Sequence, residues 1–357
     1  MKKWKSTVNV LLFNFGAVLI GLVIRALLLY FMKVNPAAII GQTLGKIFGD
    51  KYNMGEILVK ATPLIFTSLA FAFTFKANLF NIGAQGQFYM GSIVAVAISL
   101  ALGDVLPTIV IILLVLVASF AAGGAAGCFI GFAKAEFGAN EFLVSMMSTY
   151  VISAFMDFLL RTSLQETKAE YLQTDGISKN AYLPNLIPGT RVHWGFVIAV
   201  LTAIAVWVLL NKTALGYRIR AVGMNHNAAE LGGIRTDRIY IIAFSIAGGL
   251  AGMAGLTEIN GIQHMLLRDF NASIGSYGIG IAILANGNPI GCIFASLLFG
   301  LLNVIGTTMG RLPGTSIPAS IIDLLEGIVM VCVITSYAVR RIVEYNRKKK
   351  QMQREGV

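Results

Sequence analysis

Residues able to do covalent chemistry are sparse in this sequence. The three histidines, His193, His226 and His264, stand far apart, and the three cysteines, Cys128, Cys292 and Cys332, lie inside apolar runs with no CxxC spacing. Such cysteines read as small packing residues, not as a disulfide frame or metal site. No G-x-S-x-G, H-E-x-x-H or G-x-x-x-x-G-K-[ST] run occurs, so catalysis and nucleotide hydrolysis lack their usual residues, and no cofactor is called for. Hydrogen-bonding chemistry is concentrated instead. The stretch NLFNIGAQGQFYMGS, Asn78 to Ser92, sets two asparagines, two glutamines and three glycines between apolar runs. Two readings stand for it: an inner-side turn beside Lys76, or a broken-helix segment lining a translocation path, where glycine lets the backbone leave helical geometry. On the second reading Asn78, Asn81, Gln85, Gln87, Phe88 and Tyr89, with Asn271 and Asn303, supply polar partners and an aromatic wall for a solute.

Ionisable residues near apolar runs are Arg25, Glu141, Asp157, Asp323 and Glu326. Arg25 can snorkel, and Glu141 and Asp157 sit close to span ends, which makes all three structural. Asp323 and Glu326, three apart on one helix face, could form a proton relay, the basis of a rival reading as a proton-driven carrier, or an acid–base pair acting on lipid.

The elements that must position these groups are membrane helices. The chain has 357 residues, is 56% hydrophobic and 13% charged, and its apolar runs approach the ~20 residues that cross a bilayer. Segments such as 107–133 are apolar all round, which excludes a soluble amphipathic bundle. Ten spans are expected, at about 8–32, 61–80, 86–103, 107–133, 141–160, 194–211, 239–256, 271–286, 290–310 and 318–338. The fold expected is therefore an all-α polytopic membrane protein, with a transmembrane domain over 1–338 and a basic tail over 339–357. With both termini inside, inner segments carry 17 Lys and Arg against ten outside, where most acids fall, so both termini are expected to be cytoplasmic. The net charge of +11 reflects this bias and the tail, which would lie beside anionic lipid; nucleic acid is the weaker partner for it. Glycines four apart, at 123, 127 and 131, 248 and 252, 287 and 291, and 306 and 310, read as helix-packing seams.

Two connections are long. The outer segment 162–193 exceeds what joining two spans needs. The inner loop 212–238 contains NKTALGYRIRAVGMNHNAAELGGIRTDRIY, in which Asn227 and Glu230 make a capping-box pattern. A helix over 228–231, stopped by Gly232 and Gly233, is too short to stand alone and must lean on a neighbour or partner. His226 is expected to face solvent.

GYRIRAVGMNHNAAELGGI followed by YIIAFSIAGGLAGMAG resembles the cytoplasmic loop and next helix of permease subunits of ATP-binding-cassette importers, in the family serving ribose, other simple sugars, nucleosides and branched-chain amino acids. FNIGAQGQFYMGS resembles the other hallmark of that family, usually written with Glu where this chain has Gln85. The likeness runs from Thr62 to Val333 and is strongest to the nucleoside branch. It implies a bacterial plasma-membrane permease of two five-helix halves related by inverted repetition. A separate ATP-binding subunit, a second and paralogous permease subunit and an external substrate-binding lipoprotein would complete the transporter. It further implies that Gly216, Arg218, Gly223, Asn225, Ala228, Ala229, Glu230, Gly232 and Gly233 belong to the element that couples to the ATPase. Simple sugars are the alternative substrate class.

Overall fold

The computed structural model describes residues 36–166, 171–311 and 326–336, with isolated positions before and after them. Among the described residues the chain is helical and has no strand beyond two isolated bridges. The helices are α1 (Pro36–Gly49), α2 (Lys51–Phe75), α3 (Ala84–Leu102), α4 (Thr108–Phe137), α5 (Glu141–Arg161), α6 (Gly195–Lys212), α7 (Ala214–Met224), α8 (His226–Leu231), α9 (Thr236–Glu258), α10 (Ile274–Leu284), α11 (Pro289–Gly310) and α12 (Glu326–Ser336). Seven are long and apolar enough to cross a membrane: α2 to α6, α9 with its continuation to Gln263, and α11. The expected span 8–32 and the first part of 318–338, with Arg25 and Asp323, lie outside the described residues.

One expected span is corrected. Residues 271–286 form not a crossing helix but the 11-residue α10, which at 1.5 Å per residue covers about half of a hydrocarbon core. Hydropathy counts its apolar residues correctly. It misses that the chain stays irregular from His264 to Ser273 and stops again at the left-handed Asn286 and Gly287.

Two compact units are distinguished, residues 54–301 and residues 1–53 with 302–357. In the first, α2, α3 and α9 are largely buried while α4, α5 and α6 turn most of their surface outward. Leu113, Val117 and Phe129 of α4 face out, and its inner face is a stripe four residues apart: Ile111, Val115, Ser119, Gly123, Gly127 and Gly131. Lipid leaves no hydrophobic gain for helices that meet, so close backbone approach decides which face turns inward. A Cβ on Gly123 would overlap the Gly248 carbonyl, one on Gly127 the Phe244 carbonyl, and one on Gly252 the Ser119 carbonyl. The 123–131 and 248–252 seams are thus one intramolecular interface, extended by Gly91 of α3 against Gly252. The expected 287–291 seam does not form, because Gly287 (φ 63°) belongs to the α10–α11 turn. Gly127→Leu should prevent folding: overpacking costs about 1–3 kcal/mol where side chains can yield, and more against backbone. Monodisperse yield after detergent extraction is the readout, with Leu113→Phe on the outer face as the tolerated control.

Of the charges expected to be structural, the two among the described residues, Glu141 and Asp157, are paired. Lys134 Nζ meets Glu141 Oε2 at 2.7 Å, and Arg268 meets Asp157 Oδ2 at 3.2 Å.

Candidate translocation path and coupling surface

The amide stretch begins where α2 ends. Asn78 adopts the left-handed conformation (φ 58°), which lets the N–H groups of Ala77 and Leu79 both return to the Thr74 carbonyl, at 2.9 and 3.1 Å. Asn78 is therefore an exposed helix terminator. From Asn81 the chain is buried. Asn81 Nδ2 donates to Gln87 Oε1 at 2.8 Å and Gln87 Nε2 donates to Asn81 Oδ1 at 3.2 Å, so these two amides close on each other. Gly83 and Gly86 let the start of α3 press on Ser145 and Thr149 of α5. The stretch re-enters the bundle instead of turning through solvent.

Gln85 reaches out of this stretch to the broken segment after α9. That helix continues through a π turn, Ile259–Gln263, and then loses regularity, with His264, Asp269 and Asn271 all at positive φ. Three such residues without glycine mark backbone held in place by its surroundings. Gln85 is part of those surroundings: its Nε2 donates to the Asn271 carbonyl at 3.1 Å, and its Oε1 accepts from Gly275 N–H at 2.7 Å. Gly275 permits the approach, since a Cβ there would lie 2.5 Å from Gln85 N. Phe88, Tyr89 and Phe270 stack around the same point with ring centres 5.2 to 5.7 Å apart, and Tyr89 Oη donates to the Phe270 carbonyl.

Sequence reasoning missed Glu258. It is 2% exposed, and its Oε1 accepts from Asn271 Nδ2 and, at 3.2 Å, from Gln263 Nε2. An acid two residues beyond the expected span end at 256 was the available signal. Glu258, Asn271, Gln85 and Gly275 form one chain of contacts from α9 through the broken segment to α3 and α10. Asn303 belongs to the unit formed by the chain ends, where its Nδ2 donates to both Glu326 oxygens at 3.0 and 3.2 Å.

Segment 172–183 is laid against the broken segment by backbone bonds from Thr174 to Leu266, Ile177 to His264 and Leu183 to Asn260, and from Arg268 back to Leu172. Tyr182 stacks on His264 with ring centres 3.7 Å apart. His193 is clamped between Gly195 and Gly261, and its Nδ1 accepts from Gly195 N–H at 3.1 Å. Burial, with help from His264 and Arg191, lowers the His193 pKa to about 4. The unfolded chain takes up this proton near 6.5, so the stability that neutral His193 contributes is full above that pH and is lost as pH falls toward 4. Thermal unfolding of the purified chain should show a loss of about 3 kcal/mol across this window. His193→Gln should flatten that part of the profile; an unchanged profile would remove His193 as its cause.

The 212–238 loop folds into two helices. Thr213 caps α7, its Oγ1 accepting from Gly216 N–H at 3.1 Å, while Gly216 rests on the Leu209 and Leu210 carbonyls. Arg218 is exposed, and neighbouring Arg220 turns back to the Leu210 carbonyl. The cap of α8 is Asn225, whose Oδ1 accepts from Ala228 N–H at 3.1 Å; this corrects the Asn227 capping box. α8 ends in a Schellman motif, with Ile234 N–H on the Ala229 carbonyl, Gly233 N–H on the Glu230 carbonyl and Gly233 at φ 80°. Glu230 accepts from Thr236 Oγ1 at 2.7 Å instead of completing a box. The neighbour α8 leans on is α9, because His226, half-exposed, bonds Tyr240 Oη at 2.9 Å. Ala229 faces inward, whereas Ala228 is open and Met224 and Leu231 are 83% and 91% exposed. These last two are the loop's most exposed apolar side chains, ahead of Tyr217, and hydropathy averaged over charged neighbours conceals them.

Gly223 joins this loop to the amide stretch. A Cβ there would overlap the Lys76 carbonyl and crowd Ala77, so α7 lies directly on the turn that leaves α2. Lys76 Nζ in turn donates to the Asn286 carbonyl at 3.4 Å, next to the turn that ends α10. Burial lowers the Lys76 pKa, with Arg220 adding repulsion.

The family described as "Branched-chain amino acid transport system / permease component" matches residues 53–334. The guanosine ABC transporter permease protein NupP of Bacillus subtilis is 29% identical over 93% of this chain and 95% of its own. The nucleoside ABC transporter permease protein NupB of Lactococcus lactis subsp. cremoris is 30% identical over 92% and 90%, and the glucose ABC transporter permease protein TsgB13 of Haloferax volcanii 29% over 91% and 87%. No solved structure matches. With most of its length inside the family match, the chain belongs to the permease components of the branched-chain amino acid transport system family.

Proposed function

We propose that this chain is the membrane-spanning subunit of an ATP-driven nucleoside importer, and that residues 259–288 form its moving wall. The observation that carries this reading is the Gln85 clasp on Asn271 and Gly275. It ties the amide stretch to a half-length helix, a geometry that membrane interiors tolerate where backbone is buried in protein or lines a cavity. The wall has a handle at each end. Outside, segment 172–183 is bonded to residues 260–268, so a receptor docked there would pull on the broken segment. Inside, α7 rests on Lys76 and Ala77, and Lys76 holds Asn286. An ATPase subunit that moves α8 would reach the wall through these contacts.

Nucleosides are favoured over sugars by the aromatic cluster beside the clasp. Phe88, Tyr89 and Phe270 offer faces on which a base can stack as the wall shifts, while Gln85, Glu258 and Asn271 hydrogen-bond its edge or ribose. A second permease would supply the opposite wall, and inverted five-helix halves that count the half-length α10, inner termini and the bacterial plasma membrane belong to the same proposal. Uptake of labelled guanosine and uridine into proteoliposomes holding the chain with its ATPase, second permease and receptor tests it, with glucose and ribose as competitors. Nucleoside uptake that resists both sugars is expected; uptake collapsed by an uncoupler at constant ATP would favour a proton-driven carrier.

A further inference from the structure

Beside the Schellman turn lies a cavity of about 460 Å³ that shares Arg218, Gly232 and Gly233 with the coupling element but adds Arg235 and Arg238, to which the coupling reading gives no role. Arg218 of α7, with Arg235 and Arg238 at the start of α9, lines it together with Leu215, Ile239 and Ile242. Among the described residues none of the three guanidinium groups has an ion-pair partner. Glu230 is taken by Thr236 and His226, and Asp237 lies outside the lining. The start of α9 is also uncapped, since Arg235 makes no side-chain capping bond. Its first-turn N–H groups and helix dipole therefore add to the positive field.

We propose that this cavity holds the phosphate headgroup of an anionic phospholipid. Three arginines in one lining suit phosphate oxygens, which guanidinium groups can grip in pairs. A free phosphate would use only the arginines. Ile239 and Ile242 continue along α9 toward its membrane-spanning part, with Leu215 of α7 in the same lining, as an acyl chain requires, and basic pockets where spans meet the membrane surface take such headgroups. The site adjoins Gly232 and Gly233, so a bound lipid would brace the turn that fixes α8. The inference holds for whichever leaflet the loop faces and does not depend on the transported solute.

The test uses the full chain purified without other subunits and exchanged into equal phosphatidylglycerol and phosphatidylcholine, with retained lipid counted by native mass spectrometry. Wild type should retain phosphatidylglycerol with a preference on the order of tenfold. Arg235→Gln with Arg238→Gln should bring this to parity, and Arg235→Lys with Arg238→Lys should keep part of it. Excess inorganic phosphate should leave the lipid bound. Parity in wild type, or a preference that survives the glutamine pair, overturns the proposal. So does displacement by inorganic phosphate, which would assign a free anion. If lipid retention is unchanged while the pair weakens only ATPase association, the cavity serves a protein partner and the lipid assignment fails.

Discussion

Met224→Asp with Leu231→Asp should abolish uptake while leaving the subunit folded. Both side chains are more than four-fifths exposed, Met224 at the end of α7 and Leu231 at the end of α8, so the chain's own packing loses little when they change. Apolar side chains of this size are worth about 1.5–3 kcal/mol each when buried by a partner. Replacing them with carboxylates removes that gain and adds the cost of burying charge. Affinity for the ATPase subunit should drop about a thousandfold or more, since every 1.4 kcal/mol is a factor of ten. Co-purification of the ATPase with tagged permease measures this directly, and gel filtration controls for folding. Retained association with normal coupling would show that α8 is not the docking element. Ala229→Asp is a poorer probe than the sequence implies, because Ala229 faces inward and its loss would unseat α8 from α9.

How far the sequence could be read depended on whether a property was local. Apolar runs are local, so most spans were legible, and glycines four apart gave the inner stripe of α4. Which helix that stripe meets is a long-range fact, and only the overlap of Gly127 with Phe244 supplies it. Asn81 and Gln87 illustrate the same limit. Their polarity was plain, but the turn at Gly83 brings them together, and a pair that closes on itself offers a solute less than six residues of amide composition imply. The cap of α8 was misplaced by two residues because Asn225 and Asn227 are chemically equal and only backbone geometry separates them. The half-length α10 was hidden because hydropathy sees apolar content and not the left-handed residues that interrupt it.

The clasp is where a small change should have the second large effect. Gln85→Ala removes both of its bonds and leaves Gly275 N–H unpaired in a buried setting, at a cost of about 1–3 kcal/mol, while the Asn271 carbonyl keeps only the Ile274 N–H. The observed position of residues 264–275 should lose its advantage over shifted ones, and uptake should fall on the order of tenfold to a hundredfold with the ATPase and receptor still bound. Gln85→Glu is the informative companion, since an ionised carboxylate can still accept from Gly275 but cannot donate to Asn271, so an intermediate defect is expected. Glu258→Gln keeps an acceptor for Asn271 and should be milder than Glu258→Leu, which leaves Asn271 Nδ2 without its partner. If Gln85 and Glu258 act through Asn271 as one unit, the Gln85→Ala, Glu258→Leu pair should be barely worse than either alone. Uptake per folded molecule is the deciding measurement. Variants that lose assembled protein in step with uptake would make the clasp a scaffold contact, whereas loss of uptake at normal assembly makes it part of the path.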